Sequence, residues 1–217
     1  MKRILTLLFL ALAIAGCKKE KAQQNTPEQE PSVPIIADNL IGYWACESMT
    51  STTNDVYEFP DLSIHFLSDY GFRMIMASVV YDYYWSLIGD KLILLKDSEP
   101  HETRINSLDS KHMDWTTTNG NRCRLTNMTN ILPGKWKCEK SGHATYFIDI
   151  DSSGSSIWLE EGATETMIIT WDMGISTQGR IVIMFDNVLY TLSKFTDDSL
   201  DLLDSSNAHV SFTRHSA

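Results

Sequence analysis

The sequence lacks the local signatures by which many catalytic and phosphate-binding chains can be read. It contains no Gly-X-Ser-X-Gly, no glycine-rich phosphate loop and no Cys-X-X-Cys. Positive charge is scarce: 18 Lys and Arg stand against 28 Asp and Glu in 217 residues, a formal net charge of -10. A surface that acidic repels phosphate backbones, so nucleic acid is not an expected partner. The histidines (His65, His101, His112, His143, His209 and His215) show no i, i+2 or i, i+4 pair with a third ligand close by, and no metal site is expected. Acidic pairs such as Asp149/Asp151 and Glu160/Glu161 sit beside Ser/Gly turns and read as solvated surface. Nothing points to an enzyme or to a cofactor. Only 6 prolines and 11 glycines are present, with 43% hydrophobic residues, which excludes a collagenous or wholly disordered chain and implies a folded core.

The first apolar run, Ile4 to Ile14, is broken only by Thr6 and is shorter than the roughly 20 residues a spanning helix needs. Preceded by Lys2 and Arg3, it has the form of an export signal. It ends in Ile14-Ala15-Gly16-Cys17, which resembles the lipobox of bacterial lipoproteins. The resemblance implies cleavage of residues 1–16 and lipidation of Cys17, hence a membrane anchor; several acyl chains at about 0.8 kcal/mol per buried methylene make attachment durable. Residues 17–38 then form a tether. Proline aside, no apolar residue larger than Ala appears before Val33, so the segment cannot offset its ordering entropy.

The rest of the chain repeats itself. Leu40-Ile41-Gly42-Tyr43-Trp44-Ala45-Cys46-Glu47 returns as Leu132-Pro133-Gly134-Lys135-Trp136-Lys137-Cys138-Glu139, with five of eight positions identical. Trp85 finds Trp171, and Leu92-Ile93-Leu94-Leu95 finds Ile181-Val182-Ile183-Met184. Further on, Ile105, Leu108, Met113 and Leu125 meet Leu192, Phe195, Leu200 and Phe212 at a constant offset of 87. Two units are expected, 39–128 and 129–217, each about as small as a self-sufficient core allows.

Each unit reads as β: short apolar runs bounded by turns, with Asn119-Gly120 a hairpin signal because both residues tolerate positive φ. In the first unit strands are expected at 42–50, 55–67, 71–81, 83–88, 91–96, 102–108, 111–117 and 121–127. Matching strands are expected in the second, from 134–140 to 208–214. Eight antiparallel strands in a meander hide their edges best by closing into a barrel. The expected fold class is therefore all-β, two tandem small meander barrels, with a two-sheet sandwich as the alternative.

Gly42-Tyr43-Trp44 and Gly134-Lys135-Trp136, each opening a first strand, resemble the Gly-X-Trp motif of lipocalins and related calycin barrels. Behind a lipobox, the pattern resembles the lipocalin-like lipoproteins of the Bacteroidota. The resemblance implies that Trp44 and Trp136 close one barrel end and that a basic residue of the last strand stacks across each, Arg122 or Arg124 in the first unit and Arg214 in the second. It also implies carriage of a small apolar or amphipathic ligand. Units this short allow barrels filled by their own side chains, which leaves a protein-interaction or scaffold role as the alternative.

Cys46 on the first strand and Cys123 on the last strand of one unit become neighbours in a closed barrel, making them candidates for a disulfide in an oxidising compartment. The alternative is that they are small buried apolar residues. Val210 stands where a second-unit counterpart of Cys123 would fall, so Cys138 has no partner. Tyr81, Tyr83 and Trp85 alternate onto one face and Tyr84 onto the other, either as core or as an outward binding surface. The expected protein is a non-catalytic binding lipoprotein of the bacterial outer membrane, its partners the membrane and a small ligand or envelope protein.

Overall fold

The computed structural model describes residues 35–216; the leader, Cys17 and most of the tether lie outside them. A single helical turn, α1 (Ala37–Leu40), leads into nine strands: β1 (Gly42–Thr50), β2 (Val56–Glu58), β3 (Leu62–Phe66), β4 (Gly71–Met76), β5 (Val79–Ile88), β6 (Lys91–Lys96), β7 (Glu99–Leu108), β8 (His112–Thr116) and β9 (Arg122–Asn127). A second turn, α2 (Met128–Ile131), leads into eight more: β10 (Gly134–Lys140), β11 (Tyr146–Ile150), β12 (Ser155–Glu160), β13 (Thr166–Ile175), β14 (Ile181–Phe185), β15 (Val188–Thr196), β16 (Ser199–Leu203) and β17 (His209–Arg214).

Every strand pairing is antiparallel between neighbours. β1 pairs with β3 on one side and β9 on the other, closing the first barrel; β10 pairs with β11 and β17, closing the second. The protein is thus all-β, with two eight-stranded barrels in tandem, the short β2 being an extra strip beside β1.

The expected strand 55–67 is interrupted. Phe59 adopts φ 46°, and Pro60 follows without a donor for the ladder, so the chain leaves barrel 1 between β2 and β3. The displaced Phe59 ring packs edge-on against Phe195 of barrel 2, centroids 5.2 Å apart. The expected strands 71–81 and 83–88 are divided elsewhere: the turn lies at Ala77-Ser78, both with positive φ, so Tyr81 to Trp85 belong to one strand.

Inward positions alternate along the strands and form two cores. The first holds Trp44, Ile64, Phe66, Phe72, Trp85 and Trp115; the second holds Trp136, Ile148, Phe185 and Phe212, and also takes in Met128 and Ile131 of α2. The barrels touch. Ala45 and Tyr43 of β1 pack on the second core, Arg180 Nε lies 2.5 Å from Asp61 Oδ1, and His112 Nε2 lies 3.1 Å from Asp197 Oδ1. Gly179, at φ 96°, presses so close that a Cβ there would sit 2.6 Å from the Ile75 carbonyl oxygen.

Candidate functional site

Each barrel is closed at one end by a tryptophan of its first strand. Trp44 and Trp136 have no exposed surface. Each indole N–H donates to a carbonyl two residues before its first strand, Trp44 to Leu40 and Trp136 to Leu132, both at 2.8 Å. The helical turns α1 and α2 therefore serve as lids on which the indoles hang. Gly42 and Gly134 both sit at φ 128°, a region that strains any residue with a Cβ. A Cβ at Gly42 would also lie 2.6 Å from Thr129 Oγ1. The Gly-X-Trp tripeptide is explained locally: glycine turns the chain over the lid, and Trp fills the end.

Behind Trp136, the Arg214 guanidinium lies 3.9 Å from the indole centroid. It also donates to the carbonyls of Ile131, Pro133 and Asp197. Burial lowers its pKa from the ordinary arginine value, since the charge is partly withdrawn from water. Barrel 1 departs from the expected plan here. Arg124 does not stack on Trp44; its Nε bonds Glu47 Oε2 at 2.9 Å on the outer wall. Register is the reason. Trp136 faces Arg214 across the seam, but Trp44 faces Asn127. Asn127 instead caps α2 through its side-chain oxygen.

Of the two alternatives for Cys46 and Cys123, the structure has the free thiols and not the disulfide. Cys46, Cys123 and Cys138 are free, buried thiols. Extra residue Glu47 bulges β1, so that Cys46 faces Leu125 while Met49 faces Cys123. Cys46 and Cys123 are diagonal neighbours and share a side-chain hydrogen bond, which pushes the Cys46 pKa up and draws that of Cys123 down. Burial, with the Glu139 charge as a second cause, raises Cys138 to about 12.

At the end of barrel 1 away from Trp44 lies a cavity of about 300 Å³. Its deep wall is Leu62, Met74, Leu94 and Trp115. Met49, Met76 and Cys123 add sulfur, and Tyr81, Tyr83 and His101 form the opposite side. The turn through Thr117 to Asn121 makes the rim. The polar groups at the base are already satisfied: Trp115 Nε1 donates to Thr103 Oγ1 at 2.9 Å, and Thr103 donates to the Leu92 carbonyl at 3.1 Å. No Asp, Glu, Lys or Arg among the described residues lines the cavity. Of the aromatic run, Trp85 is core, Tyr81 and Tyr83 are half-buried cavity wall, stacked at 6.4 Å, and Tyr84 points to solvent. A larger depression of about 480 Å³ lies beside it on β4–β6, but it is shallower and crossed by the exposed Arg73–Asp82 ion pair, as surface grooves are.

Register identifies the same positions in barrel 2. The row Trp44–Ile64–Met74 corresponds to Trp136–Ile148–Trp158. By the same pairing, Leu62 answers to Tyr146, Leu94 to Phe185 and Thr103 to Tyr190. Four positions that line the cavity in barrel 1 thus carry four rings in barrel 2. Those rings touch in series: Tyr146 to Trp158 at 5.7 Å, Trp158 to Phe185 at 5.1 Å, Phe185 to Tyr190 at 6.0 Å. Phe185 also stacks on Phe212 from β17 at 6.0 Å, so rings from five strands meet across the interior. Barrel 2 is smaller at Ser156, which stands where Phe72 does, and that space admits the Trp158 indole, whose N–H bonds Ser156 Oγ at 2.9 Å.

The sequence repeat alone does not reveal this difference, although the signal is present: at matched strand positions one unit has Leu, Met, Leu, Thr and the other Tyr, Trp, Phe, Tyr. Among the described residues, no group of three or more His, Cys, Asp or Glu is placed to hold a metal ion. No described helix is long and apolar enough to cross a membrane.

Fold and cavity together define a tandem-barrel protein with one barrel open at its end and the other plugged by aromatic rings. No family model matches the chain, and no curated protein matches it. Among solved structures, a protein of unknown function from the DUF3598 family of Nostoc punctiforme aligns over 81% of this chain and 94% of its own, at 13% identity and a TM-score of 0.25. A superposition that loose carries no argument about either fold or function.

Proposed function

We propose that the protein is a non-catalytic binding protein in which barrel 1 takes a small apolar or amphipathic molecule into its open end, while barrel 2 is a structural partner. The observation that carries this reading is the exchange of Leu62, Met74, Leu94 and Thr103 for a chain of rings in barrel 2. A cavity of about 300 Å³ is at the small end of ligand sites, and its apolar walls with polar groups at the rim match their usual construction. Three methionines lend the wall adaptability. The lipobox-like Ile14-Ala15-Gly16-Cys17 supports placing the protein at the bacterial outer membrane, held by lipid on Cys17.

The test transplants the plug. Leu94→Phe with Thr103→Tyr gives barrel 1 two of the rings that fill barrel 2. A neutral fluorescent probe, N-phenyl-1-naphthylamine, should bind the wild type with saturation and lose at least tenfold in affinity in the double variant. Trp158→Met and Tyr190→Thr, which thin the barrel 2 plug, should leave that site in barrel 1 intact. Equal probe binding by the wild type and the filled variant would remove the cavity from consideration.

A further inference from the structure

Barrel 1 brings together two thiols, one of which also lines the ligand cavity. Cys46 and Cys123 are each 2% exposed and face the interior from β1 and β9, the two strands that close the barrel. The two are diagonal neighbours whose side chains interact, and the Cys46 thiol donates to the Ser48 carbonyl at 3.3 Å. A third sulfur joins them because of the Glu47 bulge. The extra residue advances β1 by one, so Met49 stands directly opposite Cys123. Directly opposed side chains in an antiparallel pair share one face, with Cβ atoms about 4.5–5.5 Å apart. Met49 and Cys123 both line the cavity, so the cluster opens onto the mouth. Sequence spacing hides the group, since Cys46 and Cys123 are 77 residues apart (123 minus 46) and the third member is a thioether.

We propose that Cys46, Cys123 and Met49 form a binding site for a monovalent thiophilic cation, Cu(I), reached through the mouth of barrel 1. Two thiolates and a thioether are soft donors and favour Cu(I) over hard cations. Hard cations are further excluded because no described carboxylate lines the cavity. Binding is an exchange without electron transfer: Cu(I) enters, two thiol protons leave to solvent, and the metal stays Cu(I). Barrel 2 has no equivalent. Its Cys138 faces Phe212, and Lys140 and Val210 stand at the positions of Met49 and Cys123, so one sulfur remains. The proposal is independent of small-molecule capture, because it rests on the bulge and the thiols and not on the missing plug.

The test uses the purified full chain, reduced and held without oxygen, titrated with Cu(I) against the chromogenic chelator bathocuproine disulfonate. The wild type should withhold one Cu(I) per chain, with an all-sulfur first shell by X-ray absorption. Loss of groups that merely orient a metal ligand costs about 10–100-fold in affinity, so Cys46→Ser and Cys123→Ser should each lose more than that. Met49→Leu, which conserves volume and keeps the fold, should weaken binding about tenfold. Cys138→Ser should bind as the wild type does. The proposal is overturned if reduced wild type withholds no Cu(I) while its thiols titrate as free. It is also overturned if both serine variants retain the metal, or if Cys138→Ser loses it. Unchanged affinity in Met49→Leu overturns the three-sulfur set.

Discussion

Trp44 and Trp136 close equivalent ends of equivalent barrels, yet their removal should not cost the same. Each is fully buried and donates to a lid carbonyl at 2.8 Å. On that common basis, replacement of either by Ala should cost about 3–5 kcal/mol. Only Trp136 carries a guanidinium over its face, 3.9 Å from the ring centroid. A partly desolvated cation–π pair contributes about 0.5–2 kcal/mol, so Trp136→Ala should exceed Trp44→Ala by that amount. For a unit of this size each kcal/mol corresponds to about 4–8 °C in Tm. A double-mutant cycle isolates the pair. Trp136→Leu and Arg214→Met, singly and together, should show coupling of about 0.5–2 kcal/mol in urea unfolding. The parallel cycle on Trp44 and Arg124 should show coupling near zero, because Arg124 is engaged with Glu47 on the other side of the wall. Zero coupling at Trp136–Arg214, or equal coupling in the two cycles, refutes the assignment of distinct closing devices to the two barrels.

Three further outcomes are expected. Gly179→Ala forces a Cβ to within 2.6 Å of the Ile75 carbonyl oxygen at a positive φ, so it should lower stability by at least about 1–2 kcal/mol in urea melts and loosen the inter-barrel contact by hydrogen exchange at Asp61 and Ser78; wild-type melting with unchanged exchange would show that the contact is not tight. His65 stacks on Tyr43 at 3.8 Å, and burial, with Arg73 as a second cause, lowers its pKa below the usual 6.5. The folded state then binds fewer protons than the unfolded chain, so this contribution is complete above about pH 6.5 and declines as pH falls toward the lowered value; His65→Phe should flatten that part of the stability–pH curve, and an unaltered slope speaks against it. Radiolabelled palmitate should enter the wild type and not Cys17→Ala; equal labelling of both ends the lipoprotein reading.

The architecture is legible in the sequence because its causes are local or periodic. Alternating apolar positions such as Leu62, Ile64 and Phe66, and the repeated Gly-X-Trp, are consequences of strand pleat and of a turn that admits only glycine comfortably. What escapes depends on register. Arg214 matches Asn127 at the offset of 87 that the later strands share, and an expectation of Arg124 ignores that offset. The bulge at Glu47 cannot be read from composition, yet it decides which of Leu125, Cys123 and Met49 meet. The break at Phe59 is masked because the aromatic residue suits a strand in isolation; its partner, Phe195, belongs to the other barrel. The cavity is hardest to foresee, since four substitutions scattered over β3, β4, β6 and β7 have meaning only after the strands close into a ring.

The lid over Trp44 also gives the vessel a direction. The described chain reaches barrel 1 through α1, whose last residue, Leu40, accepts the indole proton at the closed base. The opening lies beyond Met49 and the turn at Thr117 to Asn121, at the far end of the same staves. At about 3.3 Å per residue and a strand tilt of about 40°, the nine residues of β1 set base and opening about 20 Å apart along the barrel. On the reading proposed above, a molecule would enter barrel 1 at the end opposite the one where the described chain begins.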